Sequence, residues 1–207
     1  MGAFLQLVGD EELTMHVVLD GTVDVTVGDE QQGLQIAMDM DISGPDGFGS
    51  ATLDTGPGEI SFTMLLIDDL AYIDDEGTWT PIPDYRQSTP LNPFFALSRA
   101  ADLAYDGLAR IQTRLVHHLR ALVWIGGDLA ELEEQGWANV QIDYNDSDIF
   151  VDDAGTPVRL EFHGGVSGQY QGVEASAAFD VAYDFTKVGE PVELPAPPAS
   201  PAASAPS

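Results

Sequence analysis

Residues 13–27, LTMHVVLDGTVDVTV, admit two readings, and the choice between them decides the fold. Asp20-Gly21 is a dipeptide suited to a two-residue hairpin turn. Such a hairpin would set Leu19, Val17 and Met15 opposite Thr22, Asp24 and Thr26, apolar against polar. A continuous strand instead keeps Leu13, Met15, Val17, Leu19, Val23, Val25 and Val27 on one face and leaves Thr14, His16, Asp20, Thr22, Asp24 and Thr26 mostly on the other. The pattern predicts one long strand, kinked at Gly21. At roughly 3.3 Å per residue it would span about 50 Å, so it must bend around something, and a mid-strand glycine permits the bend.

The following segments repeat this logic. LQIAMDMDI at 34–42 alternates, SGPDG turns, FGSATLD follows, TGPG turns again, and EISFTMLLI at 59–67 sets Ile60, Phe62, Met64 and Leu66 on one face. AYIDDEGTW then reads as a hairpin turning on Asp75-Glu76-Gly77 and returning through Trp79 into prolines. The N-terminal part is therefore an antiparallel meander. Strands return at ANVQIDY, DIFVDD, TPVRLEFHGG and EASAAFDVAYDF, the last placing Ala175, Ala177, Phe179, Val181, Tyr183 and Phe185 on one side.

Between these runs the character changes. Pro81, Pro83, Pro90 and Pro93 do not fit central strands. Asn92 as N-cap with Pro93 at the first helical position predicts a helix over 93–105, ended by Gly107. Phe94, Leu97, Ala101, Ala104 and Tyr105 lie near one face of it, with Phe95 on the flank, so the helix is a candidate movable cover. LARIQTRLVHHLRALVWI at 108–125 satisfies helical and strand periods alike. A short helix is expected from an Asp128 N-cap to Gly136. One domain covers 1–194, and PAPPASPAASAPS from Pro195 is a disordered tail.

Charge excludes a broad class of partners. Asp and Glu number 35 against 7 Lys and Arg, a formal net charge of -28, which repels nucleic-acid phosphates and anionic membrane surfaces. The single lysine, Lys187, beside abundant aspartate fits a high-salt habitat or a GC-rich genome equally. With 44% hydrophobic residues the chain still has the apolar surface to fold. No apolar run has the length of a membrane span, and Met1-Gly2-Ala3 leads almost at once, by Asp10, into acidic residues without a signal-peptide pattern.

Chemistry-bearing motifs are sparse. The chain has no cysteine, which removes disulfides, thiol nucleophiles and zinc-thiolate sites. Adjacent His117 and His118 would point to opposite faces of a strand and lack the i, i+4 spacing for a shared metal on a helix. DYNDSDIFVDDAG from Asp143 has calcium-loop spacing at its start, but Asp148 stands where glycine is required and Ala154 where the bidentate Glu belongs, so turn chemistry is the better reading. Asp68-Asp69, Asp74-Asp75 and Asp152-Asp153 also fall at predicted turns, and Asn145-Asp146-Ser147 is a short glycosylation match. No Gly-x-Ser-x-Gly elbow, phosphate loop or dinucleotide fingerprint is present. An enzyme, a metal site and a cofactor are not expected.

The order of elements, with Tyr72 to Trp79 as hairpin, Asp153-Ala154-Gly155-Thr156-Pro157-Val158-Arg159-Leu160, and Tyr183-Asp184-Phe185 leading to Glu190-Pro191-Val192, resembles the bacterial lipoprotein family of the LppX and LprG type. That family shares the half-barrel fold of the periplasmic carrier LolA. The resemblance implies an α+β fold in which a strongly curved, incomplete antiparallel barrel wraps a few helices on its concave side. It favours strand over helix for 110–124. It further implies an extracytoplasmic carrier of a lipid or other apolar molecule, whose natural signal peptide or lipid anchor lies outside this sequence. Phe62, Met64, Trp79, Phe94, Phe95 and Leu97 are the candidate cavity residues, with Trp79 expected to cover the apolar rim. The alternative is a non-binding structural protein of the same fold, an accessory subunit of an envelope or transport complex. In neither case does the chain span a membrane.

Overall fold

The computed structural model describes residues 13–44, 46–67, 70–75, 77–82, 103–121, 132–133 and 136–196. They build one antiparallel sheet of eleven strands: β1 (Thr14–Val27), β2 (Glu30–Ser43), β3 (Asp46–Asp54), β4 (Glu59–Ile67), β5 (Leu70–Asp75), β6 (Thr78–Pro81), β7 (Leu103–Ile111), β8 (Arg114–Ala121), β9 (Trp137–Val151), β10 (Pro157–Tyr170) and β11 (Val173–Thr186). Their spatial order is β6-β5-β4-β3-β2-β1-β11-β10-β9-β8-β7, so two meanders meet where β1 pairs with β11. The sheet curves but does not close, leaving β6 and β7 as its edges.

The opening stretch is one strand. Leu19 faces Met38 on β2 and Tyr183 on β11, and Val17 faces Met40 and Phe185, so apolar side chains align across three strands. Gly21 lies between Ile36 and Val181. A Cβ there would stand 2.7 Å from the Asp180 carbonyl oxygen, so this glycine is where β11 closes tightly on β1.

A single apolar cluster coats one face from Met64, Leu66 and Ala71 on β4 and β5 to Leu119 and Ala121 on β8. Its centre holds Met15, Leu19, Ile149 and Leu160, all with no more than 1% exposure. Each such side chain contributes about 1.5–3 kcal/mol of transfer free energy. Val116, Phe150 and Val158 form a smaller cluster. Tyr183 is fully buried, and burial pushes its phenol well above its ordinary pKa.

Several expectations are corrected. The sheet is nearly the whole described fold, and only Leu132 and Glu133 are helical among the described residues, so the few helices of the expected α+β fold are not supported. Leu103, Ala104 and Tyr105, expected to end a helix, begin β7. Gly107 sits inside that strand, at φ +112° beside a register shift after Tyr105, and stops no helix. The remainder of the expected helix, with Phe94, Phe95 and Leu97, lies outside the described residues, as does the tail beyond Ala196. Residues 108–121 are indeed strand, but broken into a hairpin at Gln112-Thr113. Cross-strand hydrogen bonding there overrides a period compatible with both structures. ANVQIDY and DIFVDD are one strand, β9, so the NDSD stretch is no turn: Asp146 pairs with His163 and Asp148 with Glu161 on β10. Ladder pairing outweighs the local turn preference of Asn and Asp.

Candidate functional site

Among the expected site residues, Phe62 is half-buried against the main cluster and Met64 belongs to it. Trp79 is elsewhere. It pairs with Asp74, whereas Thr80 pairs with Ile73 and Ile73 with Met64. By alternation Trp79 therefore lies on the face away from Met64. It does not share a surface with Phe62 and Met64. Asp74, opposite it, keeps Oδ1 out of solvent without a hydrogen-bond partner, and nothing among the described residues accounts for this.

The site that the sequence reading missed lies at the other end of the sheet. A cleft of about 380 Å³ is lined, among the described residues, by Tyr105 on β7, His117 and Leu119 on β8, Val151 at the end of β9, and the turn 152–155. Leu119 and Val151 are each 3% exposed and belong to the main apolar cluster, so the floor of the cleft is the margin of the core. The rim is polar. Tyr105 Oη and His117 Nδ1 are 3.2 Å apart, and His117 Nε2 lies 3.2 Å from Asp153 Oδ1.

Local chemistry explains the turn that carries Asp153. The Asp152 carboxylate accepts hydrogen bonds from Ala154 N–H at 3.0 Å and Thr156 N–H at 2.9 Å, and its own N–H donates to the Thr156 carbonyl. Asp152-Asp153 thus does stand at a turn. Arg114 approaches Asp152 at 3.7 Å.

His118 points to the opposite face, as strand alternation requires. It stacks on Phe150 with ring centroids 4.8 Å apart and hydrogen-bonds Asp148. Arg120 bridges to Asp106 at 2.8 Å nearby. The other histidines also face aspartates: His16 meets Asp41 at 2.9 Å and His163 meets Asp180 at 3.2 Å. Arg159, in the run that carries the family resemblance, hydrogen-bonds Glu161 at 2.6 Å and Asp184 at 2.7 Å. Burial lowers its pKa, but those two bonds outweigh it and hold the guanidinium above its ordinary value. These contacts order the scarce basic groups among the acids. Ser147, of the glycosylation match, is fully buried within β9 and donates to Asn145 Oδ1 at 2.7 Å. Among the described residues no group of three potential metal ligands is assembled, and no helix is long and apolar enough to cross a membrane.

No family model matches the sequence, and no curated protein matches it. Among solved structures the chain is similar to LprF from Mycobacterium bovis, with 13% identity, 96% of this chain and 99% of that chain covered, and a TM-score of 0.46. It is also similar to a LolA superfamily protein from Nitrosomonas europaea, with 12% identity, 94% and 92% covered, and a TM-score of 0.28.

Proposed function

We propose that this protein is a non-enzymatic, extracytoplasmic carrier that takes a lipid or other apolar molecule against the core face of its sheet, with the cleft at β7–β9 as the mouth. The observation that carries the reading is the cleft itself. Its volume of about 380 Å³ falls in the range of small-molecule pockets, and its floor is core side chains with a few polar groups at the rim. The apolar cluster continues from there to Met64, and the proposed ligand extends its chain towards it from the cleft. Phe62 and Met64 are its proposed contacts at the far side, and Phe94, Phe95 and Leu97 are proposed from the sequence; Trp79 lies on the face away from Met64.

Native mass spectrometry of the purified protein, followed by organic extraction, tests the carrier. Co-purifying lipid, or uptake of an added fluorescent fatty acyl probe, is the expected result. Ala154→Trp, at an exposed turn position on the rim, should lower uptake at least about tenfold while leaving the melting temperature unchanged, since surface substitutions rarely cost more than about 0.5 kcal/mol. An empty extract with no uptake by the unmodified protein would sink the carrier reading.

That outcome would favour the second reading, an accessory subunit of an envelope complex. The observation behind it is the edge hairpin, where Leu108 is 59% and Leu115 57% exposed beside Tyr105. Exposed leucines on the hairpin at the sheet's edge suit a protein partner.

A further inference from the structure

The rim of the cleft is more specific than its floor. Tyr105, His117 and Asp153 form a chain of two 3.2 Å contacts, and a neutral imidazole satisfies both at once. With its proton on Nε2, His117 accepts at Nδ1 from the Tyr105 hydroxyl and donates Nε2–H to the Asp153 carboxylate. Every side-chain donor of the three is consumed in that arrangement. An incoming head group meets acceptors: the Asp153 carboxylate, whose side chain is 98% exposed, and the phenolic oxygen of Tyr105. It also meets the Tyr105 ring, since that residue is 56% exposed and its ring lies 5.8 Å from that of His117. Asp152 adds a second carboxylate, already bonded within its turn and approached by Arg114 at 3.7 Å.

A rim of carboxylate oxygen and aromatic face, in a chain of formal charge -28, attracts cations and N–H donors and repels anions. Resting on the carrier reading above, we infer that the cleft selects an amphiphile with an amine or quaternary ammonium head, seated between the Tyr105 ring and the Asp153 carboxylate, and excludes carboxylate- and phosphate-headed ones. Its apolar chain then runs inward over Leu119 and Val151.

Titration calorimetry of the full chain with decyltrimethylammonium, decanoate and the neutral decyl glucoside, each below its micellar concentration at 0.15 M KCl, tests this. The three share a chain length, so the apolar contribution is common and the head decides the difference. The ammonium should bind roughly twenty-five-fold tighter than decanoate, about fivefold for the attraction gained and about fivefold for the repulsion avoided at one carboxylate at contact distance in water. Asp153→Asn, at an exposed position, should narrow that ratio by about the same factor. Asp29→Asn, in the exposed β1–β2 turn, controls for bulk charge and should leave the ratio unaltered.

Decanoate binding as tightly as the ammonium, while decyl glucoside binds, would overturn the head-group assignment and leave the carrier standing. An Asp29→Asn effect equal to that of Asp153→Asn would also overturn it, because the selectivity would then belong to the whole charge. If none of the three binds and organic extraction yields nothing, the carrier itself is refuted and the inference falls with it.

Discussion

Gly21→Ala adds one carbon to the middle of β1, and the structure specifies what that carbon meets. The Cβ would lie 2.7 Å from Asp180 O, 2.9 Å from Val181 Cα and 2.9 Å from Val181 Cγ2, whereas real Cβ atoms essentially never come within 3.0 Å of another heavy atom. Two of the three obstacles are backbone, so no rotamer change relieves them. β11 has to retreat by a few tenths of an ångström while bonded to β1 on one side and β10 on the other. Overpacking of this kind costs about 1–3 kcal/mol, and backbone obstruction places it towards the upper end, about 2–3 kcal/mol. In a domain of this size that lowers the melting temperature by roughly 4–12 °C. Calorimetry and urea unfolding should agree on the loss. Val181→Ala in the same background removes only the side-chain contact, so the double-mutant cycle should recover less than half of the Gly21→Ala cost. Gly58→Ala is the comparison, since nothing lies within 4 Å of its Cβ, and it should be neutral or slightly stabilising. If Gly21→Ala melts with Gly58→Ala, the close approach of β11 to β1 at this point is refuted.

Two further expectations concern charge and ionisation. With a formal charge of -28, raising KCl from 0.1 to 2 M should raise the melting temperature, because the Debye length falls to about 3 Å at 1 M and most like-charge repulsion is screened; a flat or falling curve would show that repulsion does not limit stability. Burial raises the Tyr183 phenol above its ordinary value of 10.0, so its contribution is fully present below pH 10 and is lost as pH climbs towards the raised folded value, where the unfolded chain has released a proton that the folded chain retains. Urea unfolding above pH 10 should therefore lose up to about 1.4 kcal/mol per pH unit, and Tyr183→Phe should flatten that slope. Equal slopes in the two proteins would remove Tyr183 as the cause.

What the sequence determined by itself is what alternation can carry. The faces of β1 and β11 were legible because side chains in a strand point alternately up and down whatever the partner, so Met15, Val17 and Leu19 had to share a side, as did Val181, Tyr183 and Phe185. Mismatched faces likewise excluded a hairpin at Asp20-Gly21. The divergence of His117 and His118 followed from the same rule. Where two periods fitted one segment, as over 108–121, the pattern had no power to choose, and pairing between β7 and β8 decided it. Asn145 to Asp148 read locally as a turn, because only the ladder to β10, distant in sequence, holds those residues extended. Trp79 was assigned to the apolar rim from its place after a turn, but its face depends on the register with Asp74. The cleft was invisible for the same reason. Tyr105, His117 and Asp153 belong to two strands and a turn, and register and curvature bring them together over Leu119 and Val151. Alternation is a property of neighbouring residues, whereas register, edge position and curvature arise from contacts between segments far apart in the chain.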